Sequence, residues 1–147
     1  MDNDIVKATT PWWFWLVSGL ILLWNLSGVA NYLSSVTATP ESLAAQDFTP
    51  EQIEFMLAMP AYYAAVFALA IWSGVLGAIL LLLRKKLAVP VLMFTALMVV
   101  ISFGMDALGG TFTMLGGAYI AIMIIVLVIS LFAVWFARSM RARGIVR

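Results

Sequence analysis

Residues 60–86 read PAYYAAVFALAIWSGVLGAILLLLRKK. From Pro60 to Leu83 no side chain is charged, and the run is longer than the about 20 apolar residues that carry a helix across a hydrocarbon core of about 30 Å. Arg84, Lys85 and Lys86 then end it abruptly. Every backbone N–H and C=O inside a bilayer must be paired within its own segment, so such a run reads as a transmembrane helix. Three further stretches have the same character: residues 11–35, 87–107 and 115–137, none containing Lys, Arg or Glu. Proline marks their starts. Thr10 is placed to cap a helix beginning at Pro11, and Pro60 and Pro90 fall in first turns, where a missing N–H costs little.

Composition agrees. Of 147 residues, 65% are hydrophobic and 10% are charged, and mean hydropathy is +1.08; a water-soluble domain carries about 25% charged residues. The composition therefore argues against a cytosolic enzyme, a secreted domain and a nucleic-acid-binding module, and the net charge of +1 names no acidic partner. There is no Cys and no His. The chain accordingly lacks the residues for a disulfide, a thiol redox pair, a Cys-ligated zinc or iron–sulfur centre, or a His-ligated haem. The expectation is no cofactor, no metal and no catalytic residue.

The fold expected is all-α: residues 1–147 form a single polytopic membrane domain, a bundle of four transmembrane helices. Topology follows from the bases. Lys7 precedes the first span, Arg84, Lys85 and Lys86 join the second to the third, and Arg138, Arg141, Arg143 and Arg147 follow the fourth. All eight bases therefore fall on one side, whereas the other two connections carry Glu41, Asp47, Glu51, Glu54 and the nearby Asp106. Lys and Arg accumulate in short cytoplasmic segments, so both termini face the cytoplasm and residues 138–147 form a basic cytoplasmic tail. The first span is too long for a signal peptide and lacks an Ala-x-Ala site, so it is expected to be retained.

The outer connection between the first two spans has order of its own. Thr39-Pro40-Glu41 and Thr49-Pro50-Glu51-Gln52 each read as a cap followed by proline at the first helical position, the second with a capping-box Gln. Ile53, Met56 and Leu57 then share one face, opposite Glu51 and Glu54. A short amphipathic helix on the outer surface, within residues 39–59, is expected to cover the outer ends of the bundle. Gly109-Gly110 and Gly116-Gly117 frame what reads as a flexible outer turn between the last two spans.

Polar residues deep in a span carry information, because hydrocarbon does not solvate them. Ser18, Asn25 and Tyr32, spaced by seven, form one polar stripe that must point at other helices. It reads as interhelical hydrogen bonding first and as a small-solute site second. Asp106 stands at the end of the third span, where the helix dipole disfavours a negative charge, and it reads as a solvated residue left to water or to another protein. Ala70, Gly74 and Ala78, four apart, form a helix-packing face, within the bundle or between chains. Trp24 and Trp72 are expected to fill space inside the bundle. Arg84, Lys85, Lys86, Arg138 and Arg141 are the candidate contacts for anionic lipid head groups.

Pro11-Trp12-Trp13-Phe14, then Leu23-Trp24-Asn25-Leu26 with Gly28, Thr39-Pro40-Glu41, and Gly74-Val75-Leu76-Gly77 leading to Leu82-Leu83-Arg84-Lys85-Lys86 resemble a group of uncharacterised short bacterial proteins with four transmembrane helices. Some of these carry an automatic "sugar transporter" label. The similarity covers roughly the first hundred residues. It implies a multi-pass protein of the bacterial inner membrane, and it transfers no site residues. The group starts its second span with more aromatic residues than Ala61-Tyr62-Tyr63. Two functions are consistent with the residues. One is a non-catalytic accessory or structural subunit, its partners being the lipid bilayer and other membrane-protein subunits or itself. The alternative is a small-solute, sugar-like carrier acting as an oligomer around Asn25.

Overall fold

A computed structural model describes residues 9–147; Lys7 lies outside them. Four helices are long and apolar enough to cross a membrane: α1 (Trp12–Val36), α4 (Ala61–Leu82), α5 (Ala88–Leu108) and α7 (Gly117–Ala142). The chain is a multi-pass, all-helical membrane protein. Three short helices complete it: α2 (Pro40–Ala44), α3 (Pro50–Leu57) and α6 (Thr111–Leu115).

The helix starts follow their capping chemistry. Thr39 and Thr49 each accept a hydrogen bond from the backbone N–H three residues on, and the side chains of Ser42 and Gln52 accept one from the cap residue's own N–H, closing two capping boxes with proline at the first helical position. The outer segment is thus two helices, not one, separated by Asp47 in a left-handed conformation (φ 64°). On α3, Ile53 and Met56 are half-buried while Glu51, Glu54 and Leu57 are exposed, so Leu57 departs from the expected apolar face. Thr10 does not cap α1. Pro11 itself occupies the cap position in an extended conformation (φ −69°, ψ 150°) without a side-chain hydrogen bond, which leaves Thr10 one residue too far from the first-turn N–H groups, its hydroxyl buried and unpartnered. Pro60 is likewise a cap residue, one position outside the first turn of α4.

In lipid the hydrophobic effect does not press helices together, so close backbone approach must do so. The face Ala70, Gly74 and Ala78 of α4 is buried against both neighbours. A Cβ added at Gly74 would overlap the amide oxygen of Asn25 on α1 and lie 3.3 Å from Cγ2 of Thr95 on α5. This face is therefore occupied within the chain. From it the register of α1 on α4 propagates: Gly28 faces Ile71 and the Tyr32 ring meets that of Phe67 edge-on at 5.7 Å.

The spans lie side by side in sequence order, α1 on α4, α4 on α5, α5 on α7. Consequently α4 and α5 are the more buried helices, at 28% and 33% of their most apolar windows, against 17% for α1 and for α7. The bundle does not close along its α1 and α7 side. These two helices meet at the basic end, where Phe136 stacks on Phe14 at 6.0 Å and takes the edge of Trp13 at 6.1 Å. Further along the same side an apolar opening of about 330 Å³ is lined by Val17, Leu20, Ile21, Trp24, Ile129 and Phe132. Trp24 and Trp72, 37% and 51% exposed, face outward and do not fill the interior. With each span touching only one or two neighbours, the outward side of each helix is left to lipid, which solvates an indole's apolar ring.

Candidate functional site

Asn25 and Tyr32 of the α1 stripe meet α4, yet the members of the stripe form no common site. They lie about 10 Å apart along the axis, one per two turns. Ser18 is fully buried at the basic end, its hydroxyl without a partner. Asn25 donates from Nδ2 to the Ile21 carbonyl at 2.8 Å, while its oxygen is against Gly74. Tyr32 is committed to Phe67. Beyond Gly74 the polar contacts continue into α5, where the Ser73 and Thr95 hydroxyls share a hydrogen bond of 2.8 Å. Each hydroxyl has one proton, so one of them donates to the other while the acceptor donates to a carbonyl of its own helix, Ala70 for Ser73 or Val91 for Thr95. Thr95, 6% exposed, is a mid-span polar residue that the sequence presented as plainly as Asn25. Ser73 and Thr95 thus make the interhelical polar contact beside Gly74, whereas the hydrogen bond of Asn25 stays within α1, contrary to the interhelical bonding expected of the stripe, and Asn25 lines neither the opening between α1 and α7 nor the cavity at the acidic end.

A second polar cluster lies at the acidic end and is not solvated as expected. Asp106, in the last turn of α5, is only 4% exposed. The Tyr119 hydroxyl of α7 donates to its Oδ2 at 3.1 Å. Thr111, the first residue of α6, is 1% exposed; its hydroxyl lies on the same carboxylate without a hydrogen bond of good geometry. Asp106 is buried because the glycine-rich connection is not a loose turn. Gly110 and Gly116 adopt φ of 82° and 81°, values that glycine reaches without steric cost, and they frame the one-turn helix α6 that folds over the carboxylate. Phe112 on α6 packs edge-on against Phe103 at 4.9 Å, and Gln52 of α3 donates to the Met114 carbonyl at 3.0 Å. On the other side the Tyr63 hydroxyl of α4 donates to the Met105 carbonyl at 3.1 Å. Tyr63 and Gly109 also line a cavity of about 150 Å³ roofed by Phe55, Ala58, Met59 and Pro60. The acidic end is therefore a built cap over the ends of α4, α5 and α7.

At the basic end the candidate lipid contacts divide. Lys85, Lys86, Arg138 and Arg141 are exposed, and α7 carries the last two because it continues to Ala142 instead of ending near 137. Positive charge in a helix's final turns is favoured by its dipole, so these arginines extend the helix. Arg84 has another role. It adopts a left-handed conformation (φ 58°), its Nε donates to the Ile145 carbonyl at 2.9 Å, and its own carbonyl accepts from the Arg147 N–H at 2.8 Å. The Lys86 N–H completes the pairing with the Arg147 carbonyl at 2.9 Å. Residues 145–147 are thus docked, with Ile145 and Val146 buried in the main core, and the Arg143 guanidinium rests 5.9 Å above the Trp13 ring.

Among the described residues no three His, Cys, Asp or Glu side chains converge. No family model, curated protein or solved structure matches the chain.

Proposed function

We propose that this chain is a non-catalytic subunit of the bacterial inner membrane, with both termini cytoplasmic, that docks on a larger membrane complex. The observation that carries this reading is the open α1 and α7 side. Its lining is wholly apolar, it is closed only at the basic end, and it belongs to the two least buried spans. A transmembrane helix of a partner inserted there would bury Leu20, Trp24 and Phe132, which are otherwise exposed. The one-sided distribution of bases supports the orientation, and the resemblance to short bacterial four-helix proteins supports the compartment.

A sugar-like carrier is less well supported. Its amide and hydroxyl groups would have to face a cavity, but Ser73 and Thr95 are bonded to each other across α4 and α5, and the Asn25 amide donates within its own helix with its oxygen packed against Gly74. Gentle extraction from native membranes, native mass determination and identification of comigrating chains test the proposal. A partner at fixed stoichiometry is expected. Because the natural chain has no cysteine, a single Leu20→Cys or Phe132→Cys replacement should then cross-link to that partner in intact membranes. Recovery of a homo-oligomer alone overturns the proposal and favours the carrier.

A further inference from the structure

The basic end is built from two helix stops that meet. At the end of α7, Gly144 turns left-handed (φ 70°); its N–H bonds the Arg141 carbonyl at 3.0 Å, and the Ile145 N–H bonds the Met140 carbonyl at 3.0 Å. The same pair of bonds recurs at the end of α4, from the Arg84 N–H to the Leu81 carbonyl and from the Lys85 N–H to the Leu80 carbonyl, each 2.9 Å. Such stops usually place glycine at the left-handed position, where a Cβ is unfavourable. Arg84 holds it here (φ 58°), and its side chain supplies what glycine lacks, the Nε–H that donates to the Ile145 carbonyl. The two exits are joined further on. The Arg147 N–H bonds the Arg84 carbonyl and the Arg147 carbonyl accepts from the Lys86 N–H, a pattern that sets Arg147 opposite Lys85.

This join gathers charge of one sign. Lys85, Lys86 and Arg147 are all exposed, while every acid of the described residues (Glu41, Asp47, Glu51, Glu54 and Asp106) belongs to the other end. In the chain the loop bases are bordered by Leu83 and Leu87, 61% and 56% exposed, so apolar surface adjoins the charge where two spans leave the membrane. We propose that Lys85, Lys86 and Arg147 bind the phosphate of an anionic phospholipid in the leaflet that the basic end faces, with Leu83 and Leu87 against its glycerol and upper acyl chain. Lys and Arg donate charge-assisted hydrogen bonds to phosphate oxygens, and the apolar border favours a lipid over a soluble phosphate. Arg84 is a positioning residue, since it holds the tail that delivers Arg147. The site therefore differs from the general attraction of bases to an anionic surface: it exists only while the tail is docked.

The test is native mass spectrometry of the full chain in mild detergent, titrated with phosphatidylglycerol or with phosphatidylethanolamine. One phosphatidylglycerol is expected to be retained per chain at concentrations where phosphatidylethanolamine is lost. Lys85→Gln combined with Arg147→Gln should weaken that retention severalfold. Ile145→Ala, which alters no charge but loosens the tail, should weaken it severalfold as well. A ligand that binds only the docked tail also holds it docked, so phosphatidylglycerol should slow trypsin cleavage after Arg143 in the natural chain; this measurement decides if Ile145→Ala fails to fold. Retention unchanged in a folded Ile145→Ala, or cleavage no slower with phosphatidylglycerol than with phosphatidylethanolamine, would mean diffuse attraction and overturn the proposal. Displacement of the lipid by inorganic phosphate would also overturn it, since the site would then be one for a soluble anion.

Discussion

The amide oxygen of Asn25 rests against the Cα of Gly74, so closely that no side chain fits between them. The same glycine lies against Thr95 on the opposite helix, so one residue sets the spacing of three spans. In hydrocarbon this matters twice: dispersion contacts gain from the short approach, and the amide is kept from lipid.

Gly74→Ala should therefore destabilise the protein by about 1–3 kcal/mol, the range for overpacking a fitted interior. Asn25→Ala in the same chain should recover much of that loss by making room for the new methyl group. Unfolding titrations with dodecyl sulfate in mixed micelles measure both. Equal and additive losses would show that positions 25 and 74 do not touch.

A smaller coupling is expected where Tyr63 meets Gly109. Tyr63→Phe removes one hydrogen bond to the Met105 carbonyl, a loss of about 0.6 kcal/mol for membrane helices. Gly109→Ala should cost more, since its Cβ would overlap the Tyr63 hydroxyl and lie 2.8 Å from the Met105 carbonyl. Combining the two should restore only part of the stability, because the second clash persists. A double-mutant cycle from the same titrations reads the interaction.

Ile145→Ala addresses the docked tail. Ile145 is 4% exposed, and truncating a buried isoleucine typically costs about 2–5 kcal/mol. Here the cost should appear as local opening: trypsin cleavage after Arg143 in the detergent-solubilised protein should accelerate severalfold, with little change in helix content by circular dichroism. Unchanged cleavage would mean that the pairing of residues 145–147 with residues 84–86 is not maintained in solution.

Orientation can be read with single cysteines, since none occurs naturally. Glu51→Cys should react with an impermeant maleimide on intact cells, and Lys85→Cys only after permeabilisation. The opposite pattern would reverse the assigned topology.

The spans were legible because hydrocarbon thickness imposes a length and a composition that few other structures share; the boundaries of α4 and α5 fall within a residue or so of expectation. The packing face on α4 was legible for a related reason, as Ala70, Gly74 and Ala78 have little else to offer than close approach. Asp106 was misjudged because its burial depends on α6, and glycines at 110 and 116 mark a flexible turn and a left-handed helix frame alike. Spacing puts Ser18, Asn25 and Tyr32 on one face, but it carries no sign that Asn25 meets a glycine and Tyr32 an aromatic ring. The outward positions of Trp24 and Trp72 required knowing which helices are neighbours. Burial of Ile145 and Val146 depends on a pairing with residues distant in sequence, for which local pattern carries no signal.

The side-by-side order of the spans bears on how the protein is made. Each transmembrane helix packs on the one synthesised just before it, so a newly inserted span finds its docking surface already in the bilayer. The span-to-span contacts α1 with α4, α4 with α5 and α5 with α7 close between spans adjacent in the chain, the condition under which assembly is fast, while the contact of α1 with α7 and the docking of residues 145–147 come last. The first and last spans, α1 and α7, then meet at the basic end through Phe14 and Phe136, a contact that only the completed chain can make.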